Sequence, residues 1–123
     1  MSRSIRWLLL ACVLLSWNGC SDYGLEDGHE QFTPPWLAAL IDQFKASPVG
    51  SPPQSVWRYD YHGQVVFYTP AQCCDQFSIL YDINGNILCA PDGGFAGGGD
   101  GKCRDFFQER KNGVLVWRDT RMR

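Results

Sequence analysis

Four cysteines fall within residues 73–103, and their pattern constrains the fold more than any other feature of the chain. Cys73 and Cys74 are adjacent, and a glycine-rich segment separates Cys89 from Cys103. Neighbouring Cα atoms lie about 3.8 Å apart, whereas a disulfide usually spans about 4.4–6.8 Å. In an extended chain, neighbouring side chains also point to opposite faces. We therefore expect Cys73 and Cys74 to bond Cys89 and Cys103, in an order that the sequence leaves open.

These two bonds are interpreted as staples of a small domain. They would close loops of about 15 and 30 residues, each worth about 3 to 3.6 kcal/mol in the chain-entropy model. A redox pair is less favoured because the chain has no CxxC spacing. A zinc site is also less favoured, because the two histidines, His29 and His62, are not close in sequence.

The N-terminal residues 1–19 are typical of a secretory signal peptide. Arg3 and Arg6 precede an apolar run at 7–17, which is too short to span a bilayer as a helix. A glycine followed by Cys20 resembles the lipobox of bacterial lipoproteins, although Trp17 stands where that signal usually has leucine. We expect Cys20 to be lipidated, residues 20–33 to form a tether, and acyl chains to anchor the protein to a membrane.

The cysteine count agrees with export, and the net charge argues against nucleic acid as a partner. Of the six cysteines, Cys12 would leave with the signal peptide and Cys20 would carry lipid, so an even number remains. Removal of residues 1–19 leaves nine basic and thirteen acidic residues, a net charge of −4. This charge argues against binding to nucleic acid and against a polybasic contact with lipid.

Residues 34–120 are predicted to form an α+β domain that starts with a helix. Thr33 supplies a hydroxyl cap, and Pro34 stands where no backbone donor is needed. Pro48 disfavours helical geometry in the residue before it, so the helix should end near Ser47. Its apolar stripe has helical spacing and consists of Leu37, Leu40, Ile41 and Phe44, with Trp36 beside them.

Two hairpins are predicted after the helix. In the first, a turn at His62-Gly63 places Tyr61 opposite Gln64 and Tyr59 opposite Val66. One sheet face then carries Trp57, Tyr59, Tyr61, Val66 and Tyr68, and we expect the helix to cover this face. In the second, Asn84-Gly85 favours a type I′ turn and places Leu80 opposite Cys89.

The complete prediction is one N-terminal helix packed on a four- or five-stranded antiparallel sheet, stapled by two disulfides. The last strand is expected at 113–119, and the residues before it, 104–111, fit either a helical turn or a strand.

The segment from Cys73 to Cys103 resembles a family of small bacterial lipoproteins whose domain has no assigned function. The family pattern has CCD, LYD, a glycine, a cysteine, PDGG, GDG and a last cysteine. Here these stand at 73–75, 80–82, 85, 89, 91–94, 99–101 and 103, and Arg104 stands where that pattern has proline. The resemblance covers about residues 55–120. It implies export and a lipid anchor, and it implies no activity.

The glycine-rich segment at 91–102 admits several interpretations. Asp92, Asp100 and Asp105 are weak candidates for calcium ligands, but their spacing fits no EF-hand. The favoured interpretation is a loop whose glycines take positive φ and whose aspartates cap turns. A disulfide-tied loop could also act like a protease inhibitor, although its many glycines oppose rigidity.

The sequence therefore predicts a lipoprotein of the bacterial cell envelope that acts as a binding or structural module, with a protein of the envelope as its partner. A hydrolase is the enzymatic alternative and would need a base beside a nucleophile. His62 fits a hairpin turn better than that role. We expect no cofactor, no metal and no nucleic-acid partner.

Overall fold

The computed structural model describes residues 32–122, and these form a helix packed on a five-stranded antiparallel sheet, as predicted. The elements are α1 (Pro35–Ala46), β1 (Ser55–Tyr61), β2 (Gln64–Thr69), β3 (Ile79–Tyr81), β4 (Ile87–Cys89), α2 (Phe106–Glu109) and β5 (Lys111–Arg118). The strand order is β4-β3-β2-β1-β5, and each neighbouring pair is antiparallel. The predicted signal peptide, Cys20 and most of the tether lie outside the described residues.

Helix α1 ends where the sequence predicted but begins one residue later. Pro34 occupies the cap position and Pro35 the first turn, and no side chain caps the helix, so the prediction that Thr33 is the cap was wrong. The two prolines make a side-chain cap unnecessary, because their fixed φ suits the first turn of a helix and because proline has no backbone N–H that would need an acceptor. At the other end Ser47 is already extended.

The first hairpin has the predicted register. Tyr61 pairs with Gln64 and Tyr59 pairs with Val66. His62 and Gly63 form the turn, and both have positive φ, 48° and 77°. Two central residues with positive φ match the right-handed twist of the flanking strands, so this turn sets the register by local geometry.

The second hairpin lies where predicted, and Leu80 pairs with Cys89, but its turn is not type I′. The amide of Gly85 donates to the carbonyl of Asp82, and Gly85 has a φ of 86°. The Asp82 carboxylate accepts the amides of Asn84 and Asn86 at 2.8 and 2.9 Å. This carboxylate favours a turn that starts at Asp82, with the glycine following the turn in the left-handed region.

The two faces of the sheet carry separate cores, and the prediction of which face receives the helix was wrong. Helix α1 buries Leu37 and Ile41 against Val56 and Phe67, which lie on the face opposite Tyr59. The predicted aromatic face does exist, but α2 and the preceding Cys103 cover it. The core cluster on this side of the sheet consists of Tyr61, Val66, Tyr68, Leu80, Cys89, Cys103 and Phe106, with Trp57 and Tyr59 packed against them.

The alternative left open for residues 104–111 is resolved as a helical turn. Phe106–Glu109 form α2, and its Phe106 is completely buried against the aromatic face. Strand β5 starts at Lys111, two residues earlier than predicted, and pairs with β1 at the edge of the sheet. The helical turn places the Phe106 ring against the rings of Tyr59, Tyr61 and Tyr68 on the aromatic face.

Candidate functional site: the disulfide-bounded glycine loop

The Cys89–Cys103 disulfide joins the end of β4 to the segment that leads into α2. The two cysteines are 4% and 6% exposed, and they pack in the cluster that contains Leu80 and Phe106. Their Cα atoms lie 6.2 Å apart, within the usual range. This bond closes residues 90–102 into a loop attached to the aromatic face, which we call the glycine loop.

The second disulfide joins Cys73 to Cys74, so the predicted pairing was wrong, although all four cysteines are bonded. The prediction assumed an extended chain. In the structure Cys74 has a φ of 52°, and the amide of Gln76 donates to the carbonyl of Cys73 at 3.0 Å, which makes a tight turn. This turn is exposed, whereas Cys89 and Cys103 meet each other in the core.

The presence of two disulfide bonds in this domain indicates an oxidising, extracytoplasmic compartment. Within residues 32–122, no helix has both the length and the apolar character needed to cross a bilayer.

Backbone hydrogen bonds within the glycine loop fold it back on itself. Four of them join Asp100 N to Ala90 O, Gly93 N to Gly97 O, Gly97 N to Gly94 O, and Gly99 N to Gly93 O, at 3.0 to 3.3 Å. Gly93, Gly94, Gly97 and Gly99 all have positive φ. The glycines therefore permit a defined series of turns, in agreement with the favoured prediction of a loop whose glycines take positive φ.

Asp92 attaches the glycine loop to the sheet. Its carboxylate accepts hydrogen bonds from the Tyr68 hydroxyl, at 3.0 Å, and from the Ser78 hydroxyl. Burial raises the pKa of Tyr68, and the neighbouring Asp92 charge raises this pKa further. The tyrosine therefore stays protonated and remains a donor to Asp92 across the physiological pH range.

The three weak calcium candidates have separate partners. Asp100 accepts the amide of Lys102 at 3.0 Å, and such bonds lower the pKa of its carboxyl. Asp105 pairs with side chains of the first hairpin, and Asp92 pairs with Tyr68 and Ser78. The structure does not bring the three together, and residues 32–122 contain no group of three or more His, Cys, Asp or Glu that could hold a metal ion.

A carboxylate-centred cluster lies at the turn of the first hairpin. The Tyr61 hydroxyl donates to Asp105 Oδ1 at 2.6 Å, and His62 Nε2 lies 2.8 Å from Asp105 Oδ2. Burial and the bond to Asp105 raise the pKa of Tyr61 to about 12. The Tyr61 bond also lowers the pKa of Asp105, with a further contribution from His62. No hydrogen bond joins His62 to a serine or threonine within residues 32–122, so the hydrolase alternative gains no support from this cluster.

Phe95, which the sequence analysis did not single out, is the most conspicuous residue of the glycine loop. It is 95% exposed, the most exposed aromatic side chain of residues 32–122, and Phe77 beside the loop is 52% exposed. The sequence did hold a signal, because a single aromatic residue interrupts a run of glycine, alanine and aspartate at 92–101. Aromatic side chains are over-represented among the anchors of protein interfaces, so Phe95 is a candidate binding residue.

A family model matches residues 42–119, which include all the strands, both disulfides and the glycine loop. No curated protein and no solved structure matches the chain. The matched family is described as a domain of unknown function, DUF6970, and because the match covers more than half of the sequence, this chain belongs to that family.

Proposed function

We propose that the protein is an exported lipoprotein of the bacterial cell envelope that binds a protein partner through Phe95 of the glycine loop. The N-terminal leader and the lipobox-like Cys20 support the export and the anchor. The two disulfides support an oxidising location for the domain. A tether between Cys20 and α1 would hold the loop within reach of other envelope components.

The observation that carries the binding role is the exposure of Phe95 on a loop held at both ends. Aromatic anchors dominate binding energy when they enter a pocket on the partner. A loop that is already ordered loses less conformational entropy on binding than a flexible one. The Cys89–Cys103 bond, the Asp92 contacts and the backbone bonds within the loop supply this order.

The partner chemistry follows from the anchor. Phe95 presents a whole aromatic ring, whereas the nearest carboxylates, Asp92 and Asp100, are occupied by donors from within the chain. An apolar pocket on a protein surface is the site that such a side chain fits best.

A protease-inhibitor role for residues 91–102 is less well supported. Substrate-like binding usually presents a peptide in an extended conformation. Here Gly93 N bonds Gly97 O, and several glycines hold positive φ, so the backbone around Phe95 is turned back on itself. The loop offers a side chain more readily than an extended backbone.

Site-specific photo-cross-linking in envelope preparations tests the proposal. A photoreactive phenylalanine analogue replaces Phe95, and in a matched control it replaces Ile87, an exposed residue of β4. We expect a discrete protein adduct from position 95, none at position 87, and competition by unlabelled wild-type domain but not by Phe95→Ala domain. Equal competition by both domains would refute the role of Phe95.

A further inference from the structure

We propose that Cys73–Cys74 is a thiol-reducible site that takes electrons from a dithiol, and that its reduction loosens the glycine loop. The reduction of Cys73–Cys74 and the loosening of the loop do not depend on the proposed function. The inference that this reduction regulates binding rests on the proposed function of the loop. The proposal follows from the exposure of this disulfide, from the adjacency of its two cysteines, and from the contacts that join its turn to the loop.

The two disulfides differ in access. Thiol–disulfide exchange requires a thiolate to reach a disulfide sulfur, so solvent access decides which bond reacts. Cys73 and Cys74 are both exposed, whereas Cys89 and Cys103 are 4% and 6% exposed. A reductant in solution can therefore reach the adjacent pair while the other bond is protected by the folded core.

The two disulfides also differ in what they do for the fold. The Cys89–Cys103 bond spans 14 positions and restricts the unfolded chain. The Cys73–Cys74 bond spans one position and closes no chain segment between its ends. Loss of this bond therefore leaves the unfolded ensemble nearly unchanged. The folded domain should survive its reduction, which a reversible redox site requires.

Contacts from the Cys73–Cys74 turn lead directly to the glycine loop. Gln76 N donates to Cys73 O at 3.0 Å, and Gln76 O accepts the amide of Gly94, also at 3.0 Å. Phe77 pairs with Gly93 through an isolated β-bridge. Two backbone hydrogen bonds of Gln76 thus connect the carbonyl of Cys73 to Gly94, the residue before Phe95.

The backbone of Cys74 explains why reduction would move this turn. Its φ of 52° lies in the left-handed region, which a residue with a Cβ adopts rarely. When the bond to Cys73 opens, Cys74 can return to negative φ. That rotation changes the course of the chain into Gln76 and removes the acceptor from Gly94 N.

The chemistry balances with a dithiol as the reductant. One thiolate of the dithiol attacks a cysteine sulfur, the Cys73–Cys74 bond breaks, and the other cysteine leaves as a thiolate. The second thiol of the dithiol then attacks the mixed disulfide. Two electrons pass to the protein, both cysteines become thiols after taking up protons, and the dithiol becomes a cyclic disulfide. Reversal requires an oxidised partner of the same class.

The test is a titration of the folded protein with dithiothreitol, followed by alkylation and peptide mass spectrometry. We expect alkylation at Cys73 and Cys74 and none at Cys89 or Cys103. Hydrogen–deuterium exchange on the same samples should then show peptides across 92–99 exchanging faster by at least about tenfold, while peptides of α1 stay unchanged. Labelling of all four cysteines together, absence of labelling until the protein unfolds, or selective reduction with unchanged exchange at 92–99 would each overturn the proposal.

A variant supplies an independent comparison. Cys73→Ser/Cys74→Ser should show the fast exchange at 92–99 without reductant and no response to dithiothreitol. A double variant that exchanges as slowly as the oxidised wild type contradicts the coupling, and if the variant does not fold, the wild-type titration decides. None of these measurements uses a partner, so failure of the Phe95-dependent cross-link would refute the proposed function and leave this result standing.

Discussion

The ring of Phe77 lies directly over the α-carbon of Gly94, so closely that a Cβ at position 94 would come within 2.6 Å of Phe77 Cε1. Phe77 precedes β3, and Gly94 belongs to the glycine loop. This contact therefore joins the loop to the chain segment that follows the exposed disulfide. The contact favours a glycine at position 94, because a Cβ would force the Phe77 ring to shift and because Gly94 has a φ of 74°.

We expect Gly94→Ala to destabilise the domain by about 1–3 kcal/mol, because the new methyl group displaces Phe77 and because alanine disfavours positive φ. Gly97→Ala is the matched control, since Gly97 also has a positive φ, 77°, but a Cβ there meets nothing within 4 Å. Urea unfolding of both variants measures the difference. Equal stability of the two would show that the Phe77 contact does not determine the loop conformation.

The two disulfides should contribute unequally to stability. Removal of the buried bond by Cys89→Ser/Cys103→Ser should cost about 3 kcal/mol, because a loop of about 15 residues is no longer closed in the unfolded chain. Cys73→Ser/Cys74→Ser should change the free energy of unfolding by less than about 1 kcal/mol. Chemical denaturation of the two double variants beside wild type measures both values. If Cys73→Ser/Cys74→Ser lost more unfolding free energy than Cys89→Ser/Cys103→Ser, the Cys73–Cys74 bond would be the structural staple.

Alkaline pH should destabilise the folded protein partly through Tyr61. The pKa of Tyr61 is raised from 10.0 to about 12, so the folded state holds this proton more tightly than the unfolded chain does. The stabilisation is complete below pH 10 and is lost as the pH rises towards about 12. Tyr61→Phe should therefore show a shallower fall in Tm over this window. A fall as steep as that of wild type would exclude a contribution from the Tyr61–Asp105 pair.

Arg121 is expected to stabilise the end of α1. Its guanidinium donates to the carbonyls of Phe44, Lys45 and Ser47 at 2.8 to 3.2 Å and to the buried carboxylate of Asp119. Arg121→Ala should lower Tm by several degrees at neutral pH, because these carbonyls and Asp119 lose a shared donor. Arg121→Lys should recover little of the loss, since a single ammonium cannot match the geometry of the planar fork.

The Tm difference between wild type and Arg121→Ala is also expected to depend on pH. The Arg121 hydrogen bond holds the pKa of the Asp119 carboxyl below its ordinary value of 3.8. This stabilisation is present above that value and is lost as the pH falls through the lower pKa of the folded state. The Tm difference between wild type and Arg121→Ala should thus shrink under strongly acidic conditions. A difference that does not depend on pH would assign the effect to the helix carbonyls alone.

The anchor is tested separately from the domain. Cys20→Ser should release the protein from membrane fractions, because a serine cannot carry the thioether-linked lipid that the lipobox-like sequence predicts. Fractionation and intact-mass measurement of wild type and variant check this. Wild-type protein that is already soluble and has no added acyl mass would show that Cys20 is not a lipidation site.

Local chemistry made several elements predictable from the sequence. The prolines at 34 and 48 bracket α1, and the His62-Gly63 turn sets the register of Tyr59 with Val66. Each of these features depends on residues a few positions apart, so the local sequence is enough to predict it. The same holds for Asp82, whose short-range hydrogen bonds selected the actual turn of the second hairpin.

Tertiary structure alone decided the face that α1 covers and the partners of the cysteines. Strand β2 is apolar on both faces, with Val65 and Phe67 on one and Val66 and Tyr68 on the other, so its period-two pattern could not say which face the helix would choose. The buried Phe106 occupies the aromatic face and leaves the opposite face to α1. Cysteine pairing likewise depends on distances across the fold. The turn after β2 keeps Cys73 and Cys74 in solvent, while Cys89 and Cys103 meet in the core, and no local rule contains that separation.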